Sequence, residues 1–283
     1  MKMDTINPIF IVAKKEIMDN IRNKWIILVS VLFALLALLA SYGGTISGEG
    51  WQGLEFTVTI MMGLVQIFIS IIGLMLGYAA IIGEIERGSM EALLSLPTRR
   101  REILFGKFLG LGTVLTFTIL IGFGIAGIVI GINVPDVDYG QYLIFIGASI
   151  LIGLVFLNIG IFLSCVFQKR STTMGGAIFV WFLFALIWQM ILGVILVFTS
   201  SLEEIESTLS VPDWYHVLQL FNPLQTYSTL VSLNISPTMT TPGDIASFFY
   251  PSYYSSELMV LILIVWIITF FFLAFWRFKQ RDI

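Results

Sequence analysis

Long apolar runs separated by short polar segments make up most of the chain. A helix needs about 20 apolar residues to cross roughly 30 Å of hydrocarbon, because each residue rises about 1.5 Å. Helices are expected because an open sheet edge would leave backbone groups without partners in lipid. Six runs predict transmembrane helices at residues 25–42, 57–82, 104–132, 142–167, 173–198 and 258–276. The expected fold is an all-α polytopic membrane protein, with residues 1–283 forming a single transmembrane domain.

The segment before the first span, residues 1–24, carries a helical pattern of its own. Apolar residues recur at helical spacing from Ile9 to Trp25, opposite Lys14, Lys15 and Asp19. This pattern predicts an interfacial elbow helix, with its apolar face in the headgroup region and its cations toward anionic membrane lipid or a cytosolic partner. The alternative is a solvated leader that only contacts the helix bundle.

The longest polar segment, residues 199–257, has no Lys or Arg but many aromatic residues, among them Tyr227. Aromatic rings favour the membrane interface, so this segment is expected to lie along the outer face. A stretch within 215–233, interrupted at Asn222 and Pro223, predicts two short helices. An accessory outer protein could dock here.

The basic residues lie on one side of this predicted topology. Fourteen of the 15 Lys and Arg residues fall before Trp25, between the second and third spans, between the fourth and fifth, or after the sixth, and Lys107 lies just inside the start of the third span, beside the same basic loop. Short loops rich in Lys and Arg remain in the cytoplasm during insertion. We therefore expect a multi-pass protein of the cell membrane with both termini in the cytoplasm.

Composition excludes several functions. With 58% hydrophobic and 12% charged residues, the chain has too little polar surface for a soluble globule, and nucleic acid is not an expected partner. All 18 acidic residues lie in loops or at span ends, which argues against an intramembrane protease. One Cys and one His cannot form a disulfide or a typical metal site, so no metal or cofactor is expected in this chain.

The densest charge cluster lies in the loop at residues 83–103, on the predicted cytoplasmic side. Ser89 can cap a short helix there, and Pro97 would end it. Met90, Leu93, Leu94 and Leu96 would form an apolar stripe on this helix. A short amphipathic helix of this kind suits a groove on a soluble partner.

At this loop the chain resembles the permease subunits of ABC-2 type ATP-binding cassette transporters. The matching residues are Glu84, Glu86, Gly88, Ser89, Leu93, Leu94, Ser95, Pro97, Arg101, Gly106 and Lys107. The resemblance implies the ABC-2, or type V exporter-like, arrangement: a homodimer or pseudodimer of six-span subunits bound to two cytosolic ABC ATPase subunits. ATP and Mg²⁺ would be bound by the ATPase, since this chain has no phosphate loop and is expected to be non-catalytic.

In this family the loop helix acts as the coupling helix, which contacts the ATPase. The residues expected to couple to the ATPase are Glu84, Glu86, Arg87, Gly88, Ser89, Met90, Leu93, Leu94, Pro97 and Arg101.

Further matches point to one branch of the family, whose members serve the maturation of nitrous oxide reductase, a copper enzyme. They are residues 13–17, residues 22–25, Asn222 with Pro223, and Tyr227. The alternatives are an exporter of a lipid, peptide or drug, a force-transmitting complex without cargo, and a passive scaffold.

Polar and small residues inside the spans give two further expectations. Gln66, Asn158 and Gln189 are candidates for a transport pathway, and hydrogen bonding between helices is the alternative. Glycines recur four apart at Gly73 and Gly77, Gly106 and Gly110, and Gly127 and Gly131. Such pairs let neighbouring helices approach closely.

Overall fold

A computed structural model of the chain describes residues 8–21, 25–42, 54–90, 98–133, 138–199, 212–235, 250–251 and 253–281. The regular structure in these ranges is helical. In chain order the helices are α1 Pro8–Ile21, α2 Trp25–Tyr42, α3 Leu54–Gly77, α4 Ile82–Glu86, α5 Arg100–Asn133, α6 Tyr139–Val166, α7 Arg170–Thr199, α8 Asp213–Gln219, α9 Pro223–Ile235 and α10 Ser256–Gln280.

Five of these helices are long and apolar enough to cross a membrane: α3 over Thr57–Gly77, α5, α6, α7 and α10. The chain is therefore a multi-pass membrane protein. The first predicted span coincides with α2, a helix of 18 residues that is not among the five. The total of six spans remains a prediction.

The second predicted span, residues 57–82, is too long at its end. Helix α3 ends at Gly77, residues 78–81 form a turn, and α4 begins at Ile82. The backbone N–H groups of Ile81 and Ile82 donate to Ser164 Oγ, at 3.0 and 2.9 Å. Hydropathy does not detect this break because residues 78–82 are apolar. The later predicted spans match α5, α6, α7 and α10 to within about four residues at each end.

Helix α6 lies at the centre of the bundle. Of its most apolar window, 72% is buried inside the protein, compared with 11% for α7 and 17% for α10. It packs most extensively against α3 and α10, and also against α5 and α9. Because α6 is apolar around its whole circumference, protein can cover every side of it.

Glycines allow α3 and α6 to pack backbone to backbone. A β-carbon on Gly73 would lie 2.6 Å from the carbonyl oxygen of Gly153, and one on Gly160 would lie 2.8 Å from that of Leu74. The predicted close approach at Gly73 and Gly77 is confirmed. Gly127 and Gly131 instead make room for tyrosine rings on α6.

Helix α1 packs against the start of α5 through the second glycine pair. A β-carbon on Gly106 would lie 2.7 Å from Val12 Cβ, and one on Gly110 would lie 2.7 Å from the Ala13 carbonyl oxygen. Phe10, expected on the buried apolar stripe, is 65% exposed on another face. Contact with the bundle is thus established, whereas a position in the headgroup region remains a prediction.

The two short helices predicted around Asn222 and Pro223 are confirmed as α8 and α9. Asn222 Oδ1 accepts a hydrogen bond from Leu224 N at 3.0 Å, and Pro223 occupies the first helical position, as is common at helix starts. Tyr227, expected among the aromatic residues along the outer face, lies inside the protein. Its ring is fully buried, with its hydroxyl 3.4 Å from Ser149 Oγ, because α9 packs against α6.

Contacts between segments define two ends of the bundle. Lys15, Lys107, Arg170 and Arg281 meet neighbouring elements at one end, which we call the basic end. Helices α6, α8 and α10 begin at the opposite end, near Asp138, Asp213 and Glu257, and we call this the acidic end. The predicted grouping of the four basic segments on one side agrees with this arrangement.

Gly73 and Gly63 lie on the same helix and provide a matched test of the α3–α6 contact. Gly73→Ala should destabilise the protein by about 1–3 kcal/mol, because the new methyl group meets backbone that cannot move aside. Gly63→Ala should be neutral or stabilising, because no atom lies within 4 Å and alanine favours helix. Thermal unfolding in detergent measures both, and equal shifts would contradict the packing described.

Candidate functional site

A buried cluster of charges joins three elements at the basic end. Lys107 of α5 is 1% exposed, and its Nζ lies 2.7 Å from Glu16 Oε1 and 2.9 Å from Glu84 Oε2. Glu16 belongs to α1 and Glu84 to α4. A buried ammonium needs such partners because removing a charge from water is costly. The pairing therefore fixes α1 and α4 relative to α5.

Lys15 completes the cluster. Its Nζ lies 2.5 Å from Glu84 Oε1 and 3.9 Å from Glu16 Oε1. Two ammonium groups thus face two carboxylates, and the charges balance. The Lys15 side chain is 41% exposed and that of Lys107 is 1% exposed, and both line a cleft of about 770 Å³ together with Glu16 and Glu84.

The local sequence explains why this cluster forms. Gly106 directly precedes Lys107, and Gly110 follows it three positions later. Because these glycines have no side chains, α1 can lie directly on α5. That close approach brings Glu16 within reach of Lys107. The glycines therefore contribute to the charge pairing through geometry rather than through their own contacts.

The cluster shifts the pKa values of Glu84 and Lys15. Burial by itself raises the pKa of Glu84, but the charge of Lys107 and hydrogen bonds from Lys15 and Lys107 outweigh it, so the pKa is lowered. Burial lowers the pKa of Lys15, but its hydrogen bond to Glu84 and the charges of Glu84, Glu16 and Asp19 raise it overall. Both groups are therefore charged at neutral pH.

The segment after α3 is held at several points. Ser164 of α6 accepts the two N–H groups at the start of α4, and Ser89 Oγ donates to the Glu84 carbonyl at 3.3 Å. Between them, Gly88 has a φ of +71°, which favours glycine. Residues 78–90 thus form an anchored turn.

Met90, expected on the apolar stripe of the loop helix, lies in the core of this chain. Its side chain is fully buried and belongs to the same hydrophobic cluster as Leu104 and Cys165.

Arg170 joins the start of α7 to this turn. Its backbone N–H donates to Glu86 Oε1 at 2.7 Å, and its guanidinium donates to the Tyr78 hydroxyl at 2.9 Å and lies over the Tyr78 ring. Movement of the loop would therefore act on α7 as well as on α5.

Two further arginines connect the end of α10 to the rest of the basic end. Arg100 Nη1 donates to the carbonyl oxygens of Phe278, Lys279 and Arg281, at 2.8, 3.2 and 2.6 Å. Arg281 Nη1 donates to those of Ser164 and Cys165, at 2.8 and 3.2 Å. Each arginine satisfies carbonyl groups that a helix end leaves open.

The predicted coupling residues fall into three groups. Glu84 and Met90 are buried, the first in the charge cluster and the second in the apolar core, whereas Glu86, Arg87, Gly88, Ser89 and Arg101 are exposed at the basic end. Leu93, Leu94 and Pro97 lie outside the described residues. A role of the exposed group in contacting an ATPase remains a prediction.

The three candidate pathway amides lie on separate helices and contact different partners. Asn158 is fully buried on α6, with its Nδ2 3.4 Å from the Ile267 carbonyl oxygen on α10. Gln189 exchanges hydrogen bonds with Gln219 on α8 at 2.9 and 3.2 Å. Gln66 accepts from Trp181 Nε1 through its backbone carbonyl, at 3.5 Å. The contacts of Asn158 and Gln189 fit the alternative of hydrogen bonding between helices, whereas the contact of Gln66 involves its backbone and not its side-chain amide.

Sequence reasoning left Lys15, Glu16, Lys107, Arg100 and Arg281 out of the candidate site. A usable signal existed for Lys107, since it lies inside the predicted third span and an ionisable residue there needs a partner. The arginines carry no such signal because their partners are backbone carbonyls. Within the described parts of the chain, no group of His, Cys, Asp and Glu is placed to hold a metal ion.

The described features define a polytopic membrane protein whose basic loop is fixed to its spans by buried charges. The sequence pattern of the ABC-2 family transporter proteins matches residues 10–283, so the chain belongs to this family. It is therefore a membrane subunit of an ABC transporter, and the family implies partnership with an ABC ATPase.

Two curated relatives narrow the comparison. The chain is 33% identical over 282 residues to the probable ABC transporter permease protein NosY of Stutzerimonas stutzeri, covering 98% of this chain and 99% of the relative. It is 37% identical over 199 residues to the protein of the same name from Pseudomonas aeruginosa, covering 68% of this chain and 72% of the relative. The resemblance identified from sequence motifs is confirmed.

Lys107→Met should destabilise the protein by about 3 kcal/mol or more, because Glu16 and Glu84 would remain buried without their shared cation. Lys15→Met should cost less than about 1 kcal/mol, since Lys15 is half-exposed and screened. Adding Glu16→Gln to Lys107→Met should recover part of the loss. Denaturant unfolding in detergent measures these differences, and a Lys15 effect as large as that of Lys107 would refute the assignment.

The cluster also predicts how stability depends on pH. Because the pKa of Glu84 is lowered from 4.5, its contribution should be present above pH 4.5 and lost as pH falls through the lowered value. Because the pKa of Lys15 is raised from 10.5, its contribution should be present below pH 10.5 and lost as pH rises through the raised value. The Tm difference between wild type and Glu84→Gln should stay constant near neutrality and shrink in acid. A constant difference down to about pH 3 would contradict the pairing.

Proposed function

We propose that this chain receives movement from a separate cytosolic ABC ATPase at its basic end and transmits it through the membrane. The observation that carries the proposal is the buried cluster of Lys15, Glu16, Glu84 and Lys107. It ties the exposed loop residues to α1 and α5, while Arg170 ties the same loop to α7. A force on the loop is therefore passed to several helices together.

The orientation of the protein follows from its charge. The basic end faces the cytoplasm of the cell membrane, and both termini lie on that side, as the placement of Lys and Arg predicts. Loop residues such as Glu86, Arg87 and Arg101 are exposed there and supply charges for an ATPase surface. ATP and Mg²⁺ are bound by the ATPase.

The assembly contains two copies of this chain and two ATPase subunits. Supporting this arrangement, α7 buries only 11% of its most apolar window within one chain, which leaves an apolar face for a second copy or for lipid. A protein at the acidic end is a further candidate partner, through α8 and α9.

The NosY relatives support a role in the maturation of a copper enzyme. One of them aligns over nearly the whole of both chains. Transport of a lipid, peptide or drug is the alternative within the family.

A force-transmitting role without cargo is a second candidate. It is favoured by the contacts of Asn158 and Gln189, which bind neighbouring helices rather than line an open path. In this case ATP hydrolysis by the partner drives a movement at the acidic end and no cargo crosses the membrane.

Affinity purification from native membranes tests the assembly directly. An ABC ATPase should be recovered at equal stoichiometry, and its absence under mild detergent conditions would overturn the proposal. A protein that binds at the acidic end would be recovered in the same sample.

A labelling experiment tests transmission without knowledge of the cargo. In a Cys165→Ala background, Tyr253→Cys reports on the acidic end, because Tyr253 is 44% exposed. ATP with vanadate should change its maleimide labelling rate. Glu84→Gln should reduce that change by at least about fivefold while the ATPase still co-purifies, since the loop is then held less firmly.

Lys14→Gln is the matched control, because Lys14 is exposed on the same helix as Lys15 and Glu16. It should leave the labelling change intact. An undiminished change in Glu84→Gln would exclude the cluster as the route of transmission.

A further inference from the structure

Helix α7 is interrupted near its middle by a π-turn. Residues Leu183–Ile187 form a π-helical segment, with regular α-helix at Arg170–Phe182 and Trp188–Thr199. A π-turn accommodates one extra residue, disturbs the regular hydrogen bonds and often marks a functional position. Helices bend at such points.

One side chain outside α7 holds this π-turn. Asn222, 1% exposed, donates from Nδ2 to the Phe184 carbonyl oxygen at 2.8 Å. Its Oδ1 accepts from Leu224 N and caps the start of α9. The same amide therefore caps α9 and attaches it to the π-turn. We call α8, α9 and the residues that join them (213–235) the hairpin.

The two halves of α7 contact different elements. The half near the acidic end binds the hairpin, through Gln189 to Gln219 and Gln225. The half near the basic end binds α3, through Trp181 Nε1 to the Gln66 carbonyl oxygen, and carries Arg170 at its start. The π-turn lies at the boundary between these two sets of contacts.

The core around the π-turn contains a polar atom without a partner. Trp188 Nε1, directly after the turn, is buried and makes no hydrogen bond in the described structure. Phe184 packs edge-on against Trp266, with ring centroids 5.5 Å apart. A buried N–H group without an acceptor is costly. A change in the bend of α7 at the π-turn could bring an acceptor within reach of Trp188 Nε1.

We propose that residues 183–187 are a hinge in α7, and that Asn222 is the positioning residue that makes the α8–α9 hairpin move with the half of α7 near the acidic end. The hinge allows movement received through Arg170 at the basic end to reorient the hairpin. This inference rests on the proposed function only for the source of the movement. The hinge itself can be measured in the chain alone.

The first test is amide hydrogen exchange of the chain in lipid nanodiscs, which needs no ATPase. Asn222→Ser keeps an oxygen that can cap α9 but removes the longer amide N–H group that reaches the Phe184 carbonyl. It should raise exchange at residues 183–188 by about fivefold to tenfold, the size expected for one lost hydrogen bond. Exchange equal to that of wild type would overturn the proposal.

Asn234→Ser is the matched control. Asn234 lies at the other end of α9, the helix that Asn222 caps, and its Nδ2 donates to Ser256 Oγ at 2.9 Å, away from the π-turn. Exchange at residues 183–188 should not change in this variant. An equal increase in both variants would show general loosening of α9 and would overturn the role of Asn222.

The second test removes the hinge. Deleting Ala185 shortens the π-turn by one residue, which permits a continuous α-helix with both flanks in register. In the assembled complex, the deletion should abolish the nucleotide-dependent labelling of Tyr253→Cys while the ATPase still co-purifies. Retained labelling change would overturn the hinge.

The two proposals fail in different ways. If wild type shows no nucleotide-dependent change, the proposed function is wrong, and the exchange result still decides the hinge. If wild type responds and the Asn222 and Ala185 variants behave as wild type, only the hinge is wrong.

Discussion

The arrangement of the basic end depends on one buried ammonium group. Lys107 lies at the edge of an apolar helix, where an unpaired charge would be unstable. Its two carboxylate partners come from elements far apart in sequence, one on α1 before the first predicted span and one on α4 after α3. Satisfying that single cation therefore determines where α1 and the loop must lie. The close glycine contacts of α1 with α5 are a precondition for it.

A second level of organisation uses backbone carbonyls in place of carboxylates. Arg100 binds the end of α10, Arg281 at that end binds the end of α6, and Ser164 of α6 binds the start of α4. The helix ends are thus connected in series at one face of the bundle. Such a network resists independent movement of single helices, which suits an element that receives force from a partner. At the acidic end, amide side chains of α7, α8 and α9 have the corresponding role.

The membrane class, the helix positions and the two short helices around Asn222 could all be predicted from sequence, because they depend on local properties. Runs of apolar residues, an asparagine followed by proline, and glycines four apart each act within a few residues of the chain. Errors appeared where a distant residue decided the outcome. The predicted end of the second span is wrong because Ser164, more than 80 positions away, accepts hydrogen bonds from the backbone N–H groups of Ile81 and Ile82. Tyr227 was expected at the interface because it is aromatic. Its burial depends on α9 packing against α6, which aromatic character does not reveal.

The sequence by itself determined that this protein lives in a bilayer, that its cations share one end, and that its loop resembles that of ABC-2 permeases. Each of these is a statement about composition or order along the chain. Only the tertiary structure decided which charges pair, that Met90 is buried in the core, and that α7 is broken by a π-turn to which Asn222 donates a hydrogen bond. The reason is physical: burial and pairing energies depend on which surfaces meet, and hydropathy gives every apolar face the same value.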